Sequence, residues 1–170
     1  MELPQSLLEA QVKLRELRNI HDWKFFSSVA EKQRVLESSI KEISMLVDSL
    51  DQVALDAHQA HACYLKGAAL NSLQAYSSMA EELLSKSVKL DPSNIEAWLS
   101  LGTCLWKKND KVQAKACFIE SLSQCESKAA YRELSMITRQ LQGADKVAAG
   151  QAKPSADTYV QESIDYAKKV

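Results

Sequence analysis

Apolar residues recur along this chain in steps of three and four. Leu7, Ala10, Leu14 and Leu17 form one such stripe, and His21 continues it. That period predicts a helix from about Pro4 to Phe26, with His21 as a partly covered residue at its end. A second helix is predicted from near Ser28. Leu36, Ile40, Ile43, Val47, Leu50, Ala54 and Ala57 follow without a break, and Lys32, Arg34, Glu37, Lys41, Glu42, Asp48 and Asp51 take the other faces. A continuous apolar stripe beneath a charged surface is a packing seam. The two segments therefore predict a long antiparallel helical hairpin. The first stripe is too short to sustain a free coiled coil.

The pattern stays helical further on. An Ala-rich segment at about 56–72 is interrupted by "NSLQAYSS", and another helix is predicted from about Met79 to Leu90. Asp91-Pro92 stops it, because the residue before a proline avoids the helical region. Ser93, with Glu96 three residues on, reads as a capping box opening the next helix, which runs to about Lys108. "KKND" predicts a tight turn with Asn109 left-handed. Helices follow at about 112–124 and 128–143. "ADKVAAGQAKPSA" has linker composition, and "DTYVQESIDYAKKV" is a last amphipathic segment. No segment alternates with period two, so the class is all-α.

The pattern also repeats itself. Shifted by about 34 residues, Trp98 falls on Tyr64, Gly102 on Ala68, Ala114 on Ala80 and Phe118 on Leu84, with Pro92 closing the unit. Period and residue order resemble the tetratricopeptide repeat. Each repeat is a pair of helices, A and B, that cross closely. Small residues are needed at the crossing (Gly102, Ala68, Ala114, Ala80), while Trp98, Leu101, Leu105 and Phe118 fill the space around it. Tyr131, Leu134 and Ser135 fit a third helix A. The expected architecture is a tetratricopeptide-repeat helical solenoid. Residues 1–57 form a capping hairpin, followed by repeats at about 61–94 and 95–128 and a divergent or truncated third at 129–170.

Repeats of this kind bind along the stripe of helix A beside the packing stripe. By register those positions are Leu65, Ala69 and Ser72, then Leu99, Thr103, Trp106 and Lys107, then Arg132, Met136 and Arg139. An aromatic, apolar and cationic groove suits a peptide with acidic and apolar side chains. The ordinary reading of any one arginine is a solvated surface charge. Repeat proteins that clamp a C-terminal carboxylate use Lys and Asn on helix A. Leu65, Ala69, Leu99 and Thr103 stand at those positions, which disfavours such a clamp.

Composition narrows the function classes. The 170 residues are 46% hydrophobic and 25% charged, with a net charge of −1, so no basic field argues for direct DNA binding. Only four Gly and three Pro occur, in keeping with long helices. No apolar run approaches a membrane span, and the N-terminus lacks an apolar signal-peptide centre, so a cytoplasmic or nuclear home is expected. Cys63, Cys104, Cys117 and Cys125 form no CxxC pair and read as small core residues. His58, His61 and Cys63 lack a fourth ligand for zinc, so no metal and no cofactor are expected. No GxSxG, P-loop or HExxH appears, and an enzyme is the weakest reading.

A narrower resemblance rests on "AEELLSKSVKLDPSNIEAW", "LGTCLWKKND", "ACF" and "LSMITRQLQ". These stretches closely resemble the tetratricopeptide repeat protein 5 (Strap) family. The likeness reaches back through "YLKGAALN", weakly into the hairpin, and forward to "VQESIDYAKKV". The family is longer, with further repeats and a C-terminal OB-fold, so this chain reads as a shortened form ending inside its third repeat. The resemblance implies two roles. One is recognition of the N-terminal peptide of nascent tubulin at the ribosome, which triggers decay of the tubulin message. The other is a nuclear stress-response role as a cofactor bridging histone acetyltransferase assemblies. It places the groove arginine that pairs with an acidic tubulin residue at Arg139, and two ribosome-facing lysines at Lys86 and Lys89. The ordinary reading of those lysines is a solvated helix face. Acidic groove residues of later repeats have no counterpart, so weak peptide affinity is expected. Val160, Ile164, Ala167 and Val170 on the last segment make self-association the competing expectation.

Overall fold

The computed structural model of the chain describes residues 3–144 and 156–169. The inner part of the linker-like stretch, the side chain of Val160 and Val170 lie outside the described residues. Nine helices and no strand occur among those described. They group into two compact units, Met1–Pro92 and Ser93–Val170.

The first unit begins with α1 (Gln5–Trp23) and α2 (Val29–Asp48). Leu7, Ala10, Leu14 and Leu17 are all buried, as are Leu36, Ile40, Ile43 and Val47. Ser28 caps α2 by accepting from the Glu31 N–H at 3.1 Å. The two helices run antiparallel: Lys13 pairs with Glu42 at 2.7 Å, and Lys32 Nζ donates to the His21 carbonyl at 3.3 Å.

The second helix is not continuous through Ala57, as its unbroken stripe predicts. It ends at Asp48, and a short α3 (Gln52–Ala57) starts afresh. The break has a local cause. Asp51 is extended, and its carboxylate accepts from the Ala54 N–H at 2.7 Å, which opens a new helix instead of continuing the old one. The apolar period survives the break, but no residue of α3 is buried.

Helices α4 (Gln59–Asn71) and α5 (Ser78–Leu90) complete the unit. Both α1 and α2 pack on α4. The hairpin thus shares one compact unit with α4 and α5, and the second compact unit begins at Ser93. This packing also revises the expected groove of the first repeat. Leu65 and Ala69 are fully buried, and Ser72 folds its hydroxyl back onto the Ala68 carbonyl. Leu65 and Ala69 serve the core of the unit and line no open surface, while Ser72 is half-buried.

The second unit holds α6 (Ile95–Lys107), α7 (Lys111–Gln124), α8 (Lys128–Ala144) and α9 (Ala156–Ala167). Asn94, not Ser93, caps α6: its side-chain oxygen accepts from the Ala97 N–H at 3.1 Å. The turn between α6 and α7 passes through Asn109 at φ 69°, the left-handed residue the sequence predicts. Asp110 then caps α7 through the Gln113 N–H. α6 packs on α7, α7 on α8, and α8 on α9. A half-buried ion pair, Lys115–Glu162 at 2.7 Å, ties α7 to α9. Burial, reinforced by the Glu162 carboxylate, pushes the Tyr166 phenol up to about 12.

The helix crossings carry the repeat. A Cβ on Gly102 would lie 2.4 Å from Phe118 Cε1, so only glycine lets α6 approach that ring. In the first unit the residue in this relation is Gly67, whose added Cβ would lie 2.8 Å from Leu84 Cγ. Ala68, the position matched to Gly102 by a 34-residue shift, is buried beside it. The correction is one residue and confined to helix A. The α4–α5 connection is longer than the α6–α7 turn, so the two helices of a repeat need not share one period. In the third pair Ser135 is the small crossing residue, facing Ser163.

Candidate peptide groove of the C-terminal unit

The candidate site lies on the faces of α6 and α8 left open by packing. On α6, Ala97, Ser100, Leu101, Cys104 and Leu105 turn inward, while Leu99, Thr103 and Trp106 are half-buried on one stripe. Thr103 Oγ1 donates to the Ser100 carbonyl at 2.9 Å, which satisfies its hydroxyl within the helix. Trp106 is held from two sides. Its ring stands edge-on to Phe118 with centroids 6.4 Å apart, and its indole N–H donates to Gln140 Oε1 at 2.9 Å. Lys107 is exposed, yet the protein around it displaces enough water to lower its pKa from the usual lysine value.

On α8, Ala130, Leu134, Ile137 and Thr138 are buried, and Arg132, Met136, Arg139 and Gln140 are exposed. Met136 offers an apolar contact at 39% exposure. Arg132 lies 3.6 Å from the carboxylate of its neighbour Glu133. Burial pushes the Glu133 carboxyl above its ordinary value, and the weak Arg132 contact only partly opposes this.

Arg139 is braced. Its Nε–H donates to Ser163 Oγ at 3.0 Å, across to α9, and Nη2 approaches Ser135 Oγ at 3.4 Å. Consecutive residues on α8 thus divide their roles. Arg139 reaches its own hairpin partner, and Gln140 reaches Trp106 on α6. The register gives Trp106 and Arg139 as groove positions of successive repeats; the residue bonded to Trp106 is Gln140. Gln140, Glu133 and Ser163 were not singled out from sequence. Gln140 lies 34 residues after Trp106, so the repeat period pointed to it.

The other sequence-derived positions fall as follows. Lys86 and Lys89 are exposed on α5 and form no ion pair among the described residues. Ala80, Leu101, Ala114 and Phe118 are buried, Trp98 is half-buried, and Pro92 lies in the exposed turn after α5. Tyr64 is buried, and its hydroxyl accepts from Arg18 Nη2 at 3.1 Å. Tyr131 packs its ring on Tyr166 at 6.4 Å. Cys63, Cys104 and Cys117 are core residues, while Cys125 is exposed, contrary to the core expectation for all four. Among the described residues, no group of three His, Cys, Asp or Glu could hold a metal ion, and no helix is long and apolar enough to cross a membrane.

No protein-family profile matches the chain. Tetratricopeptide repeat protein 5 of Mus musculus is 41% identical over 116 residues, 68% of this chain and 26% of that protein. The Homo sapiens protein of the same name is 37% identical over 142 residues, 82% of this chain and 32% of that protein. The Bos taurus protein is 35% identical over the same length. The chain spans about a quarter to a third of the length of these relatives. Helix pairs crossing at Gly67 and Gly102, and relatives that share one name, lead to the same assignment: over the residues it shares with them, the chain belongs to the tetratricopeptide repeat protein 5 family.

Proposed function

We propose that this chain is a non-enzymatic interaction module that binds a peptide along the open faces of α6 and α8. The observation that carries this reading is Arg139, an exposed guanidinium held in place by two buried serines beside exposed Met136. Trp106 and Leu99 add apolar surface, and Arg132 and Lys107 add positive charge. The ligand that fits is an acidic peptide with apolar neighbours. By family likeness the peptide is the N-terminus of nascent tubulin, and the setting is the cytoplasmic ribosome in tubulin message autoregulation. Lys86 and Lys89, exposed and one helical turn apart on α5, then face the ribosome surface.

The test is capture of ribosomes displaying a tubulin N-terminus. The unaltered chain retains them. Arg139→Asp loses them, and Lys86→Glu with Lys89→Glu weakens retention without affecting the free peptide. Equal capture by all variants sinks the reading.

A second reading is assembly through the last helix. Ile164 on α9 is 42% exposed. It predicts concentration-dependent light scattering, and a strict monomer rejects it. The nuclear cofactor role implied by the family is an alternative use of the same groove.

A further inference from the structure

Ser135 and Ser163 exchange hydrogen bonds across the α8–α9 crossing. Ser135 Oγ donates to the Ser163 carbonyl at 3.1 Å, and Ser163 Oγ donates to the Ser135 carbonyl at 3.0 Å. Each hydroxyl has one proton, and both protons are engaged in this exchange. The two oxygens, 3.3 Å apart, therefore present only lone pairs to their surroundings. Both serines are buried, at 4% and 2% exposure. The group facing these lone pairs is the guanidinium of Arg139.

A guanidinium carries five N–H bonds on two usable edges. Nε–H and one Nη2–H form the inner edge, and Ser163 and Ser135 accept from that edge. The outer edge, made by Nη1 and the second Nη2–H, has no partner among the described residues. That edge has the spacing of a carboxylate and takes one through two parallel hydrogen bonds.

We propose that Ser163 is a positioning residue for Arg139: with Ser135 it fixes the inner edge so that the outer edge is presented to a carboxylate of the bound peptide. The inference rests on the groove reading and adds a part to it. Ser163 on α9 is itself buried, yet it sets the aim of the groove arginine. A free arginine loses rotamer freedom on binding, and one already fixed loses less, so the brace raises affinity for an acidic side chain in particular.

The test uses the full chain, the tubulin N-terminal peptide and a version of it with every carboxylate side chain replaced by the amide. The unaltered chain prefers the acidic peptide. Ser163→Ala weakens the acidic peptide on the order of tenfold and leaves the amide version nearly unchanged. In an Arg139→Lys background, which lacks Nε, adding Ser163→Ala brings no further loss. Ser163→Thr, which keeps the hydroxyl, restores the preference. Because Ser163 is buried, a ligand-free measurement accompanies these. In nitrogen-15 spectra the Arg139 Nε–H exchanges slowly in the unaltered chain and fast in Ser163→Ala, at unchanged helicity. Equal losses for both peptides, additive losses in the Arg139→Lys background, or an unchanged Nε–H each overturn the positioning role. Full affinity in Arg139→Ala overturns the groove reading itself, and the positioning role with it.

Discussion

Gly102 and Phe118 touch so closely that a single added carbon has no room: a Cβ on Gly102 would lie 2.4, 2.7 and 2.9 Å from three atoms of the Phe118 ring. Phe118 is fully buried, so the ring has nowhere to turn. Replacing Gly102 by Ala sets overpacking, on the order of 1–3 kcal/mol, against a helix-propensity gain of up to about 1 kcal/mol. Overpacking wins because the obstacle is a rigid ring. The corresponding contact of Gly67 is with Leu84, whose side chain can change rotamer. Thermal melts should show Gly102→Ala clearly destabilised and Gly67→Ala less so. The reverse order would mean the ring yields more readily than the aliphatic chain.

Glu133 predicts an unusual pH response. Burial holds its folded-state pKa above the ordinary 4.5, despite the nearby Arg132. The folded state therefore binds this proton more tightly than the unfolded state does. Stability from this group increases as pH falls through the folded-state pKa and levels off below the unfolded value. Above the folded-state pKa the full penalty of a half-buried carboxylate remains. Glu133→Gln should raise the melting temperature at pH 7, and the gain should shrink towards zero below pH 4.5. A gain that does not change with pH would show that the carboxylate is not the cause.

The four thiols should separate by reactivity. Cys63, Cys104 and Cys117 are buried and Cys125 is exposed. Burial pushes the Cys117 thiol up to about 11, with Glu120 and Asp110 adding to the effect, so its thiolate is scarce at neutral pH. Timed alkylation followed by mass spectrometry should mark Cys125 first and the other three only on unfolding. Early labelling of Cys117 would contradict the packing of α7.

Much of this was legible in the sequence, for reasons that can be located. The Leu7–Leu17 and Leu36–Val47 stripes are local patterns of period 3.6, and both are buried in register. Asn109 was legible because a three-residue turn between helices needs a left-handed residue, and few residue types supply one. The break at Ser49–Asp51 was hidden because the apolar period continues across it, while the capping carboxylate of Asp51 acts on the backbone alone. Leu65 and Ala69 passed for groove residues because nothing in their own helix tells that α1 and α2 cover it. The brace on Arg139 comes from Ser163, 24 residues away on another helix, and no spacing rule connects the two. Repeat periodicity pointed to the candidate site, and long-range packing sets the contacts its side chains make.

The central claim is that Arg139 receives an acidic side chain of a peptide laid along α6 and α8. Titration calorimetry of the full chain with the N-terminal tubulin peptide tests it most directly. The account predicts measurable binding that Arg139→Asp abolishes, since the substitution replaces a braced donor fork with a repelling carboxylate. Binding of Arg139→Asp equal to that of the unaltered chain would contradict it.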